Sequence, residues 1–271
     1  MLDNVKSVVL EVKELILQEG NEQDIAYFQY HQVRYEYMAN SVSKLIPSGS
    51  EVLEMGSHYL HSSLILTKLG YKVYAMDVEA FWKIPLVEER GKKYGIEAII
   101  ENNLETLNSQ SQVGEKYDLI LFTEILEHIT FNPINFWKNV YGCAKDGASI
   151  YISTPNSFAL PSFLRAVKNL FTFKSMGLGV DQIFSNVTYG HHWKEYSSRE
   201  IKDYFFKLSN DFKVTIRKYS CGKYDSKSTA NLIWSYLIIL GNLSYFMASD
   251  IEAIITISKS VNPWKINAPE Y

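Results

Sequence analysis

Acids and histidines at short spacing mark two places in this 271-residue chain where chemistry is expected. In TEILEHI, residues 123–129, Glu124 and Glu127 stand three apart and Glu124 and His128 four apart, so one helical turn would point all three the same way. Such a group supplies a histidine general base or, with a further histidine from His191 or His192, mixed oxygen and nitrogen ligands suited to Mg²⁺, Mn²⁺ or a related ion. The second place is VLEMGSHYLHSS, residues 52–63, an apolar run with Glu54, then Gly56 and a segment able to open a helix. Gly56 would let the backbone approach a ligand, whose anionic end the N–H groups of the following helix would face. Asp77 lies about twenty residues further on, the distance expected of a carboxylate that takes ribose hydroxyls, so the pair predicts a nucleoside site. His58 and Leu60 stand where such a turn would carry further glycines. Their Cβ atoms restrict any backbone that needs positive φ, which predicts a wider loop path, with a weakened site as the alternative.

These residues need elements to position them. Val5, Val8, Val9, Val12, Leu15 and Ile16 recur at helical spacing, and a second amphipathic stretch runs from about Asp24 to Leu45. Short apolar runs then alternate with helical patterns: VLEM (52–55), KVYAM (72–76), EAII (97–100), YDLILF (117–122), SIYIS (149–153), FKVTIRK (212–218) and EAIITIS (252–258). Seven such strands predict an α/β fold, a Rossmann-like, mostly parallel sheet with helices on both faces. In such a sheet ligands sit beyond the carboxyl ends of the strands, which is where both groups of residues fall. The expected organisation is an N-terminal helical cap over 1–47, a main domain over 48–260 interrupted at 157–190, and a tail over 261–271.

Composition sets limits. At 46% hydrophobic residues the chain can bury a substantial core, and its net charge of −3 argues against a duplex-binding protein. Cys143 and Cys221 lie far apart in no metal-ligand spacing, which fits a reducing compartment. The N-terminal stretch mixes charges into its apolar residues, unlike a secretion signal, so a cytoplasmic protein is expected.

VLEMGSHYLHSSLILTKLGYKVYAMDV resembles the first cofactor motif of the class I S-adenosylmethionine-dependent methyltransferases. YDLILFTEILEHI is similar to their fourth-strand motif, KDGASIYISTPN to the turn and fifth strand, and HHWKEYSSREIKDYF to a later element ending in a helix. The resemblance is nearest to the branch holding ubiquinone-biosynthesis O-methyltransferases and small-RNA terminal 2′-O-methyltransferases. It implies S-adenosylmethionine as cofactor, held by Glu54, Gly56, Ser57, His58, Asp77, Asn103 and Thr123, with Asn103 in place of the usual aspartate at the adenine amino group. It also implies a divalent metal, Mg or Mn, at Glu124, Glu127, His128 and His192, and favours His192 over His191 as the fourth ligand. His128, Glu127 and His192 would then be nearest the chemistry.

The expected reaction is O-methylation of a small-molecule, sugar or glycan, or phenolic hydroxyl, by histidine or metal assistance. The alternatives are methylation of an RNA terminal ribose, which the charge disfavours, and a degenerate scaffold without catalysis. Arg34, on the aromatic stretch YFQYHQVRYEYMA, is expected to reach the cofactor carboxylate or the substrate. His61 is expected to cap the helix after the loop or to contact that carboxylate. The interruption at 157–190 reads as a helical lid whose apolar side covers the substrate pocket, with peripheral membrane contact through 157–175 as the alternative. NLIWSYLIILGNLSYFMA, residues 231–248, reads as a buried helix packed on the sheet rather than a membrane span.

Overall fold

The computed structural model of the chain describes residues 2–173, 179–185, 190–219, 229–244 and 246–269. Helices α1 (Leu2–Glu19) and α2 (Glu22–Leu45) lead, divided at Gly20, whose φ of 74° ends α1 before Asn21 caps α2 by accepting from the Asp24 N–H. The body follows as β1 (Glu51–Met55), α3 (His61–Lys68), β2 (Lys72–Asp77), α4 (Glu79–Trp82), α5 (Pro85–Tyr94), β3 (Glu97–Ile100) and β4 (Tyr117–Thr123). After a short 3₁₀ turn, Leu126–His128, come α6 (Ile134–Cys143), β5 (Ala144–Pro155), α7 (Leu160–Phe171) and α8 (Val180–Ser185). The chain closes with α9 (Ser198–Leu208), β6 (Phe212–Tyr219), α10 (Thr229–Asn242) and β7 (Asp250–Ile257). Ser197 and Glu200 form a capping box that starts α9.

The seven strands make one sheet in the order β3-β2-β1-β4-β5-β7-β6. All pairings from β3 to β5 are parallel, and β7 runs antiparallel to both β5 and β6. Strand order reverses between β1 and β4, which opens a crevice at their carboxyl ends. Alternation along the strands divides the core. Leu53, Met55, Ile120, Phe122, Ile150 and Ile152 pack with Trp137 of α6 and Phe205 of α9, while Val52, Leu119, Leu121 and Tyr151 pack beneath α1, α2 and α3.

A buried polar group fixes the helical cap to the body. Asp24 of α2 bonds to His61 Nε2 at 2.6 Å and accepts from Arg90 Nη2 at 2.6 Å, and Arg90 also reaches Glu19 and the carbonyl of Tyr59. Asp24 and Arg90 are both fully buried. Tyr35 OH lies 3.1 Å from His61 Nδ1, so both ring nitrogens of His61 are engaged within the cap rather than at a ligand.

Two expectations are corrected here. α10 is not a buried helix on the sheet: it packs against α7, and Leu232, Ile233, Tyr236, Ile239 and Leu240 are exposed. Gly241 makes that packing close, since a Cβ there would sit 2.9 Å from Leu160 Cβ and 2.6 Å from the Met247 carbonyl. The apolar side of α7 is likewise turned to solvent, not over a pocket. Cys143 is buried, and Cys221 lies outside the described residues, as do 174–178 and 186–189 of the interruption. Among the described residues no helix is long and apolar enough to cross a membrane.

Candidate functional site

A cavity of about 530 Å³ opens beyond the carboxyl ends of β1 to β4. Its floor is the turn after β1, where Gly56 and Ser57 donate to the Met76 carbonyl at 2.9 and 3.1 Å. Gly56 has φ of 75°, a backbone that favours glycine, and a Cβ there would press on the tip of the Ile125 side chain.

His58 and Leu60 both adopt the left-handed conformation that glycine takes more easily, with φ of 46° and 63°. Surrounding contacts hold them there. Leu60 is fully buried beneath the helical cap, and the His58 ring packs at 4.4 Å from Tyr27, 4.3 Å from Tyr59 and 4.5 Å from Phe81. Burial lowers the His58 pKa to about 4, so the ring is neutral at pH 7.

Asp77 lines the same cavity and holds the loop. It accepts from the His58 N–H and the Val78 N–H, each at 2.7 Å, and burial raises its pKa from the usual value. A carboxylate has about four lone-pair sites, so two remain for ligand hydroxyls. Asn103 and Thr123 also line the cavity, with the Asn103 amide oxygen already accepting from the Glu105 N–H at 3.0 Å. Glu54 does not line it: its carboxylate takes the hydroxyls of Ser62 and Ser63 at the start of α3, and burial raises its pKa to about 7. Sequence spacing missed Tyr27, Phe81 and Glu101, which complete the wall. Glu101, next after β3, fixes its own loop by accepting from Asn103 N and Ser109 N at 3.0 and 2.9 Å.

A second cavity of about 900 Å³ lies beside the first, and Tyr27, Arg34, Glu124 and His128 line both. Glu124 does not share a helical turn with Glu127 and His128, as its spacing predicts. At φ of 55° it precedes the 3₁₀ turn and faces Arg34, whose Nη2 lies 3.1 Å from Glu124 Oε2, while Ser153 Oγ donates to Oε1 at 2.9 Å. Burial raises the Glu124 pKa and Arg34 opposes it. The ligating atoms of Glu127, His128 and His192 lie within 4.8 Å of one another, and Glu124 is outside this group.

Backbone bonds assemble that group. His128 Nδ1 donates to the His191 carbonyl at 2.9 Å, and Trp193 N donates to the Glu127 carbonyl at 2.9 Å, so the strand-end turn and the 191–194 segment are tied together. The bond leaves His128 Nε2 as the unprotonated nitrogen of the neutral ring, 4.0 Å from Glu127 Oε1. Burial lowers the His128 pKa and raises that of Glu127, whose Oε2 accepts from Thr154 Oγ1 at 2.9 Å. His192 is raised by its bond to Glu195. His191 turns inward, both ring nitrogens buried without a hydrogen-bond partner among the described residues.

The second cavity is bounded by His191, His192, Trp193 and Lys194 on one side and by α7 and α10 on the other, including Arg165, Asn169 and Trp234.

A family model described as "Methyltransferase domain" matches residues 30–214. No curated protein matches the chain in sequence. Among solved structures it resembles the CurJ carbon methyltransferase at TM-score 0.53 and 13% identity, covering 92% of this chain and 61% of that one. It also resembles a Thermotoga maritima SAM-dependent methyltransferase described as a possible histamine N-methyltransferase, at TM-score 0.52 and 17% identity over 93% of this chain and 100% of that one. A third is Haemonchus contortus phosphoethanolamine N-methyltransferase 2 in complex with S-adenosyl-L-methionine, at TM-score 0.51 and 10% identity, covering 82% of this chain and 53% of that one. The chain thus spans about three-fifths of the first protein's length and half of the third's.

Proposed function

The chain belongs to the methyltransferase domain family, whose cofactor is S-adenosylmethionine, and from that premise we propose that it methylates a hydroxyl on a polar small-molecule or sugar-like acceptor, with His128 as base. The observation that carries this reading is the shared wall of the two cavities, where the neutral imidazole of His128 stands between a cofactor-sized cleft and a polar acceptor space.

The first cleft fits the cofactor. Asp77 is set for ribose hydroxyls, the turn at Gly56 admits backbone approach, and Ser57 and His58 line the cleft, with Ser57 Oγ and His58 Nδ1 buried and without a hydrogen-bond partner among the described residues. When bound, S-adenosylmethionine supplies an electrophilic methyl on a sulfonium. A hydroxyl oxygen must lose its proton as it attacks, unlike a neutral amine, which already presents a free lone pair. His128 is built for that proton: its Nδ1–H is committed to the His191 carbonyl, so Nε2 accepts. The bound cofactor would supply the methyl to the acceptor oxygen, and His128 Nε2 would take and hold the proton that the hydroxyl gives up. Arg34 pairs with Glu124 at the junction and keeps α2 closed over both cavities.

A second reading has its own observation, the grouping of Glu127, His128 and His192. These three residues would hold a divalent cation, which would lower the acceptor's pKa in place of a base. The His128 Nδ1–H bond to a carbonyl suits a ligating histidine equally well. Turnover on a panel of diols and phenols, with and without a chelator, separates the two. Unchanged turnover under chelation supports His128 as base, loss restored by Mg²⁺ or Mn²⁺ supports the metal, and no turnover on any hydroxyl overturns O-methylation.

A further inference from the structure

Helix α7 is inverted relative to an ordinary surface helix. Ser162, Arg165, Ala166 and Asn169, at spacings of three and four, face the second cavity, whereas Phe163, Leu164, Val167, Leu170 and Phe171 face solvent. α10 packs alongside and continues the apolar surface outward through Leu232, Ile233, Tyr236, Ile239, Leu240 and then Leu243. The exposures are large, 77% for Phe171 and 82% for Leu243. A contiguous surface of this kind marks an interaction site rather than scattered apolar residues.

Its charge names the partner. Neither α7 nor α10 contains an acid, and the flanking sequence is basic in a chain whose net charge is −3. Residues 157–190 carry Arg165, Lys168 and Lys174 against Asp181, and residues 212–248 carry five Lys and Arg against Asp225. Among the described residues Lys168 is exposed on α7 and Lys218 Nζ lies 4.6 Å over the exposed Phe246 ring, and an apolar, aromatic-bearing face with such cations is what an anionic bilayer complements, apolar side chains entering the headgroup boundary and Lys meeting phosphates. α10, at 14 residues, is too short to span a bilayer, so it would lie on one.

We propose that α7 and α10 seat this protein on the surface of an anionic membrane. The second cavity is lined by the opposite face of α7, about 10 Å away across one helix diameter, so this seating would bring the membrane interface to its rim.

Flotation of the full chain with phosphatidylcholine vesicles, with and without about one-third phosphatidylglycerol, tests this. The expected result is flotation with the anionic vesicles, weakened by salt, and reduced by roughly tenfold or more in the double variant Leu170→Glu, Phe171→Glu. Both side chains are exposed, so that variant should keep the wild-type melting temperature and S-adenosylmethionine affinity. Three results would overturn the proposal: no flotation at low salt, equal flotation with pure phosphatidylcholine, or a double variant that floats like wild type. Light scattering that shows a dimer split by the same substitutions would assign the surface to a second copy of the chain instead.

Discussion

Two residues, His128 and Glu54, are expected to act in separable ways, one on turnover and one on stability. His128→Ala is expected to lower kcat by about 10²–10⁴-fold with S-adenosylmethionine affinity nearly unchanged, because the base acts on the acceptor proton alone. Burial holds the His128 pKa below the ordinary imidazole value, so kcat should fall only on acidification below about pH 6.5. A pH profile that stays flat to well below pH 5 would remove His128 as the base. Glu54 governs stability instead. Its pKa rises on folding from 4.5 to about 7, so the folded state keeps a proton that the unfolded chain has lost. Its stabilising contribution is therefore complete below pH 4.5 and is lost as pH rises through about 7. Glu54→Gln should accordingly gain in melting temperature relative to wild type between about pH 5 and pH 8. A difference independent of pH would mean that Glu54 titrates normally.

At the scale of elements, the join between the helical cap and the body rests on Asp24 and Arg90. Removing one member of a buried pair strands the other charge, so Asp24→Ala should destabilise by about 3–5 kcal/mol in denaturant titration. A change below about 1 kcal/mol would mean that Glu19 alone satisfies Arg90. The alternation of strands and helices was legible because each of the seven strands reads as a short apolar run ended by turn residues. The ligand end of the sheet was legible because Gly56 and Asp77 sit at strand ends. The loop was only half legible: Leu60 argues locally against left-handed backbone, which His58 tolerates better, and contacts with Tyr27, Phe81 and the cap, remote in sequence, hold both residues in it. The same limit explains Glu124. Its spacing from Glu127 and His128 suggests a shared turn, but Glu124, just after β4, is itself left-handed and pairs with Arg34, 90 positions earlier. The outward apolar faces of α7 and α10 were misread because periodicity shows that a helix has an apolar side, not where that side points.

For the molecule as a whole, an acidic balance stands against a nucleic-acid partner. At physiological salt the protein should not retain single-stranded or duplex RNA in a mobility-shift assay, since its charge of −3 gives no broad attraction for phosphates. Salt-sensitive retention would favour methylation of a terminal ribose. His58 and Leu60, two left-handed non-glycine residues, are expected still to form a working cofactor turn in this methyltransferase fold. Calorimetric titration with S-adenosylmethionine and S-adenosylhomocysteine, with Asp77→Ala as control, tests this most directly. Micromolar affinity that falls at least about tenfold in the variant, or about 1.4 kcal/mol, is predicted. Folded wild-type protein that binds neither ligand would show that His58 and Leu60 have closed the site, and would contradict the account.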